Sequence, residues 1–291
     1  PTSYFKVMVL KQILISVVVL AAPLFCTGSE ASKSSLQEAT NLIERVTPWI
    51  KDHFKLELLK GDSTDRFEIA PGKKGTVVLR GNNGISIASA YNYYLNNFLH
   101  ASISWNGDNL DHLRDLKKLV PVERVIRKDR FLKWSYHLNV CTHSYSAAWW
   151  DWPEWERHID WMAMSGINMP LMITGQEYIW AMTFKEFGLG YGDLEQFFTG
   201  PAFLAWQRMG NLQGWAGPLD KDWLVEQLLL GRAILSRMRA LGMKPVLPAF
   251  AGHVPRKFAQ LYPHVNISDA PQWARFSQKH TCVKFVEPDD P

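Results

Sequence analysis

Between Asn139 and Tyr145 the chain reads Asn-Val-Cys-Thr-His-Ser-Tyr. An amide, a thiol, hydroxyls and an imidazole this close together can meet the hydroxyls of a sugar ring or an amide group. A Cys141–His143 nucleophile is the sharper chemistry, because a reactive thiolate needs a basic neighbour. Two residues apart on a strand, however, the side chains share a face without aiming at each other. Cys141 therefore reads as a small pocket-lining residue. Gln176-Glu177 places a carboxylate in a loop that opens a helix. It can serve as acid, base or hydroxyl anchor, or as a first-turn acid held by the helix dipole. His253, after the run Pro-Ala-Phe-Ala-Gly, reads as a rim residue or as a buried histidine.

The run WWDWPEWERHIDW, Trp149 to Trp161, concentrates tryptophan. Indole rings serve two ends, core packing and a flat apolar platform for the C–H faces of sugars. Trp155, Ile159 and Met162 fall at helical spacing and are expected to pack inward on a sheet. Trp161 lies off that stripe and is expected to fill a neighbouring groove. Trp149, Trp150 and Trp152 precede the helix, in a loop that can line the mouth of a site. Glu154 and Glu156 read as structural or solvated first-turn acids. The sequence has no HExxH, CxxC pair, P-loop, GxGxxG or GxSxG, so metal, nucleotide and serine-hydrolase chemistry lack their usual support.

These residues need elements to hold them. FLKWSYHLNVC reads as a strand, PEWERHIDWMAMSG as a helix with Pro153 in its first turn and Gly166 as its stop. INMPLMIT is a second strand and MKPVLPAF a third. Between them DKDWLVEQLLLGRAILSRMRALG is a long helix, with Asp220 as N-cap and Gly242 as its end. Asp193 with Gln196 forms a capping-box pattern, and VPRKFAQLYP is a short helix. Strand, helix, strand, helix, strand predicts parallel α/β architecture with chemistry at the strand C-termini. Only about three strands fit where a closed (β/α)8 barrel needs eight, so a truncated barrel is expected. Upstream, SSLQEATNLIERV predicts a helix ended near Pro48. FEIA-PGKKG-TVVLRG predicts a hairpin, and GNNGISIASAYNYYLNNFL a turn and a second helix. The expected organisation is a leader over 1–28, an α+β N-terminal domain over 29–125, and the first part of a (β/α)8 barrel over 126–291.

The leader follows from Lys6 and Lys11, an apolar run over 13–25 and a small residue at Gly28, shorter than a spanning helix needs. With it removed, no membrane partner is expected. Asn266-Ile267-Ser268 is a glycosylation sequon. The 291 residues are 47% hydrophobic with a net charge of +4, a globular composition without the basic stripe of a nucleic-acid binder. Three cysteines, one of them in the leader, give no disulfide framework.

Three runs carry more information than any short motif: YHLNVCTHSYSAAWWDWPEWERHIDWMAMSGIN, FFTGPAFLAWQRMGNLQGWAGPL and GMKPVLPAFAGHVP. They resemble the lysosomal α-N-acetylglucosaminidase family, and the resemblance covers nearly all of the chain after the leader. It implies an α+β domain followed by a catalytic barrel. It implies retaining removal of terminal α-linked N-acetylglucosamine from heparan sulfate and similar glycans, without metal or cofactor. It implies a homo-oligomer for the full-length protein and a secretory route to the lysosome or the exterior. It also implies a sugar pocket lined by Asn139, Cys141, Tyr145, Trp206, Met209 and Trp273, with Glu177 in support. No acid in the chain matches the family's two catalytic glutamates, so no catalytic residue is carried over and the chain alone is expected to be inactive. Two other readings stand beside this one: a carbohydrate-binding module without catalysis, and a thiol-dependent hydrolase using Cys141.

Overall fold

The computed structural model describes residues 28–61, 64–104 and 106–290. The expected leader lies outside them, apart from Gly28. Among the described residues no helix is long and apolar enough to cross a membrane.

The first helix, α1 (Gly28–Val46), stops just before Pro48, because the residue preceding a proline is pushed out of the helical region. Strands β1 (Phe54–Leu58), β2 (Arg66–Pro71), β3 (Val77–Gly81) and β4 (Ile126–Asp129) make one sheet in the order β1-β3-β2-β4. The predicted hairpin is its centre, with Ile69 opposite Leu79. β4 pairs with β2 through Ile69 and Ile126. It lies on the far side of the expected division at 125/126, yet its hydrogen bonds keep it with the first unit. Asn83 caps α2 (Gly84–Phe98) by accepting from Ser86 N at 2.8 Å. Gly84 sits where α1, α2 and a later helix converge. A Cβ there would meet the carbonyl oxygens of Ser35 and Leu241 at 2.9 Å.

Helix α2 is buried nearly all round, so it needs cover on both sides. One side takes the sheet; Phe54, for instance, meets Tyr91 and Tyr94 edge-on at 5.4 and 5.5 Å. The other takes α3 (Trp152–Met164), with α7 (Lys221–Leu241) packed across α1 and α3. This corrects one expectation. Trp155, Ile159 and Met162 face inward as predicted, but they enter the core built on α2 and α7 rather than a barrel sheet. Ion pairs seal the seam: Arg45 binds Asp160 at 2.8 Å and Glu38 at 3.0 Å, and Arg237 binds Glu38 at 3.0 Å and Glu156 at 2.9 Å.

The second region is parallel, as predicted, with much shorter strands. β5 (Tyr136–His137) pairs with β6 (Met169–Pro170), and Leu171 bridges to Val246. Pro170, Pro245 and Pro248 have no N–H to donate, which cuts the ladder short. Asn168 ties its lower end together. Its amide donates to Asp65 Oδ2 (2.8 Å) and Lys133 O (2.9 Å), its Oδ1 accepts from Ser135 N (2.8 Å), and its carbonyl accepts from Lys244 N (2.7 Å). The helices that follow are α4 (Gln176–Glu186), α5 (Tyr191–Glu195) and α6 (Leu204–Arg208). Asp193 is not an N-cap paired with Gln196; it lies in the third position of α5 and accepts from Gly190 N at 2.8 Å. Asp220 and Gly242 do bound α7, the glycine at φ 96°. The third predicted strand survives as the single bridge at Val246. The chain then forms a separate antiparallel sheet from β7 (His253–Val254), β8 (Ile267–Asp269) and β9 (Lys284–Val286), with α8 (Arg256–Leu261) inserted. Asn266 is exposed just ahead of β8.

Candidate functional site

Past β5 the backbone turns abruptly. Leu138 adopts φ 81°, a region that L-residues with side chains avoid. Such a conformation costs on the order of 1–3 kcal/mol and persists where surrounding packing enforces it. Here Leu138 is buried beside Leu171 and Ile173. The sharp turn releases Asn139 as a cap whose Oδ1 accepts from both Thr142 N and Thr142 Oγ1 at 2.9 Å. A widened helical turn over His143–Ala147 follows, a distortion that recurs at functional sites. It drives His143 inward, to 3% exposure, and Tyr145 outward, to 76%.

Helix α6 stands against this turn. Five residues are too few for a helix to persist alone, and three anchors hold it. Ala205 N donates to Ser144 Oγ at 3.0 Å. The buried Gln207 accepts from Thr199 N at 2.8 Å and donates to Phe197 O at 2.9 Å. Arg208 donates from Nε to Glu177 Oε1 (2.7 Å) and from Nη2 to Glu177 Oε2 (2.9 Å). As a result Trp206 meets Tyr145 edge-on, with ring centres 5.6 Å apart, and Met209 Sδ lies 3.9 Å from Cys141 Sγ.

Asn139, Cys141, Tyr145, Trp206 and Met209 thus gather beyond the C-terminal end of β5, where parallel α/β folds place ligands. Trp273 stands farther off. It stacks on Phe276, which meets Trp215, which meets Phe203, which tilts against Trp206, a continuous file of rings. Glu177 is 1% exposed and both its oxygens are engaged by Arg208, a placement that suits support and not acid–base work. Gly175, at φ 87°, lets its loop press on α7: a Cβ there would lie 2.8 Å from Gln227 O.

Other readings fare differently. Cys141 faces Met209, while burial and the Arg208 charge push the His143 pKa well down; they form no nucleophile–base pair. His253 is not on a rim. It is 3% exposed among Trp180, Phe285 and Phe197, and burial pushes its pKa down to about 4. Of the tryptophan run, Trp150 packs on Trp155 and His158, Trp161 on His137 and His158, and Trp152 lies under the Arg237 guanidinium. Trp149 is the exposed member, at 73%. Cys141 and Cys282 are free thiols. Among the described residues no cluster of three His, Cys, Asp or Glu could hold a metal ion.

Sequence reasoning missed Leu138, Ser144, Gln207 and Arg208. A charged residue in the apolar run AFLAWQRMGN was the available signal for the last, since a buried guanidinium must have a partner.

Residues 135–291 match a family model described as the alpha-N-acetylglucosaminidase tim-barrel domain, and residues 37–119 match the N-terminal domain of the same family. The human protein alpha-N-acetylglucosaminidase is 43% identical over 227 residues, 78% of this chain and 30% of the human one. A family 89 glycoside hydrolase from Clostridium perfringens, solved in complex with 2-acetamido-1,2-dideoxynojirimycin and with PUGNAc, superposes with a TM-score of 0.85 at 32% identity, covering 94% of this chain and 31% of that one. A Clostridium perfringens protein with two glutamates replaced by glutamine, in complex with its substrate GlcNAc-alpha-1,4-galactose, matches to the same degree. The chain spans less than a third of the length of each of these proteins.

Proposed function

The chain belongs to the alpha-N-acetylglucosaminidase family, and from that premise we propose that it forms one wall of a glycosidase pocket for a terminal α-linked N-acetylglucosamine. The observation that carries this reading is the meeting of the Asn139–Tyr145 turn with Trp206 and Met209 at the ends of parallel strands. Tyr145 and Trp206 offer aromatic surface for a pyranose C–H face. Asn139 and the neighbouring hydroxyls offer polar contacts, and Cys141 and Met209 a soft apolar patch for an acetyl methyl. Trp273 extends the aromatic surface outward, and Glu177 supports the wall through Arg208.

The proposed reaction is retaining hydrolysis, as on heparan sulfate and related glycans. Its two carboxyl groups stand about 5–5.5 Å apart, one as nucleophile and one as acid/base. Glu177, the acid of the proposed wall, is committed to Arg208; no acid of this sequence matches the two catalytic glutamates that the family resemblance implies, and the pair is therefore assigned to polypeptide outside this sequence. The proposed architecture is an α+β domain over 29–129 and the opening strands of a (β/α)8 barrel from 130, the division moved to keep β4 in its sheet. A leader over 1–28 and a glycan on the exposed Asn266 suit a secretory route to the lysosome or the exterior, and the complete enzyme is proposed to be a homo-oligomer.

The test compares this chain with the complete enzyme on a chromogenic α-N-acetylglucosaminide. Turnover by the complete enzyme alone is expected. Turnover by the 291-residue chain would overturn the assignment of the carboxyl pair, and an inert complete enzyme would overturn the activity. Binding of N-acetylglucosamine by this chain without hydrolysis, seen by calorimetry, would favour the sugar-binding module.

A further inference from the structure

The geometry points to Arg208 as a positioning residue that, through Glu177, sets the width of the sugar pocket; the inference rests on the functional reading above. Three segments line or underlie that pocket: the Asn139–Tyr145 turn, the head of α4 and the tail of α6. Arg208 and Glu177 lie where they meet, with side chains 3% and 1% exposed. The fork is bidentate, at 2.7 and 2.9 Å, which fixes orientation as well as distance. A lysine cannot reproduce it.

Each partner is itself immobilised. Glu177 follows Gly175, whose loop is pressed on the backbone of α7. Arg208 precedes Met209 and Gly210, and a Cβ at Gly210 would lie 2.5 Å from the Phe285 ring. The fork therefore carries the position of the α4 head directly to Met209, one residue on, and to Trp206, two residues back. The opposite wall is coupled by the Ser144 hydroxyl to Ala205 N. The buried His143 ring lies near enough for the Arg208 charge to act on it. Gln207 ties α6 to Thr199 and Phe197, on the chain leading into it, and Arg208 is the side chain of α6 that ties it to the head of α4. Loosening the fork lets Trp206 and Met209 withdraw from the sugar, while groups that act on the glycosidic bond stay in place. The expected signature is lost ground-state and transition-state binding in equal measure, a rise in KM at nearly constant kcat.

The experiment uses the complete enzyme with Arg208→Lys, with the neutral pair Glu177→Gln/Arg208→Met, and with Ser144→Ala. It measures kcat and KM on a chromogenic α-N-acetylglucosaminide and the Kd of 2-acetamido-1,2-dideoxynojirimycin. Arg208→Lys is expected to raise KM and Kd together by about tenfold or more, with kcat changed by less than about threefold. The neutral pair, which buries no unpaired charge, is expected to do the same, and Ser144→Ala to raise both by about threefold. Unchanged KM and Kd, with a smaller yield of active enzyme, would overturn the inference, as would a fall in kcat at constant KM. Should Arg208→Lys fail to fold, the other two variants decide by the same criteria. A wild-type enzyme that neither turns over nor binds the iminosugar would overturn the functional reading instead.

Discussion

The sheet of residues 54–129 and the parallel ladder of residues 135–246 solve the same problem with different means. The first has a five-residue register between β1 and β3 and another between β2 and β3, and buries Ile69, Val77 and Leu79 beneath α2. The second pairs two residues, adds a single bridge, and leaves Tyr136, Leu247 and Phe250 more than half exposed. One sheet carries its own cover. The other takes its order from without: Asn168 clamps its lower ends to Asp65 of the first unit, α3 spends its apolar face on α2, and α7 packs on α1 and α3. The self-covered half lies away from the proposed pocket and positions the half that holds it. Sites are commonly built this way, with variable loops on a fixed scaffold.

This contrast can be broken or sharpened by measurement. Leu79→Ala strikes the self-sufficient sheet and is expected to cost about 3–5 kcal/mol in urea unfolding, the usual range for a leucine truncated in a tight core. A loss under about 1 kcal/mol would mean that the first sheet is as open as the second. Asn168→Ala removes the clamp, strands Ser135 N, takes one partner from Asp65, which keeps Asn83 and Arg130, and is expected to cost about 2–3 kcal/mol. Hydrogen exchange should then quicken in residues 135–172 before it does in residues 66–81; uniform quickening would contradict the hierarchy.

His253 tests the second region by pH. Its folded pKa of about 4 lies below the ordinary value of 6.5, so the unfolded chain binds the extra proton first. The neutral ring's contribution is full above pH 6.5 and is lost as pH falls toward 4, about 2 kcal/mol of it by pH 5. His253→Phe should flatten that acid limb, measured as the difference in unfolding free energy between pH 7 and pH 5. An unaltered limb would place the acid sensitivity elsewhere. The smallest effect is expected at Leu247→Ala, within about 0.5 kcal/mol in this chain because the side chain is 57% exposed. The same change in the complete enzyme should cost several times more if further strands cover that face.

What was legible in the sequence follows the range of the interactions. Asp220, Gly242, Asn83 and Pro153 act within one helical turn, and the helices they bound were readable. The β2–β3 hairpin was readable for the same reason. Periodicity showed that Trp155, Ile159 and Met162 turn inward but not against what, since burial has a direction in the sequence and no partner. Strand lengths failed because Pro170, Pro245 and Pro248 shorten a ladder whose apolar run looks continuous. At the site, Asn139, Cys141, Tyr145, Trp206 and Met209 were named through a family resemblance. The devices that bring them together were not. Arg208 finds Glu177 across 31 positions, and a left-handed leucine at position 138 leaves no mark in the sequence.

The core shared by α1 and α7 also has a bearing on synthesis. Ala39, Leu42 and Ile43 of α1 share a core with Ile234, Met238 and Leu241 of α7, and the Ser35 hydroxyl donates to the Leu241 carbonyl across 206 positions. At about 5–20 residues per second, the ribosome needs roughly ten to forty seconds to deliver the second set after the first. Throughout that interval the nascent N-terminal unit presents one flank of α1 uncovered, a window in which a chaperone has apolar surface to hold.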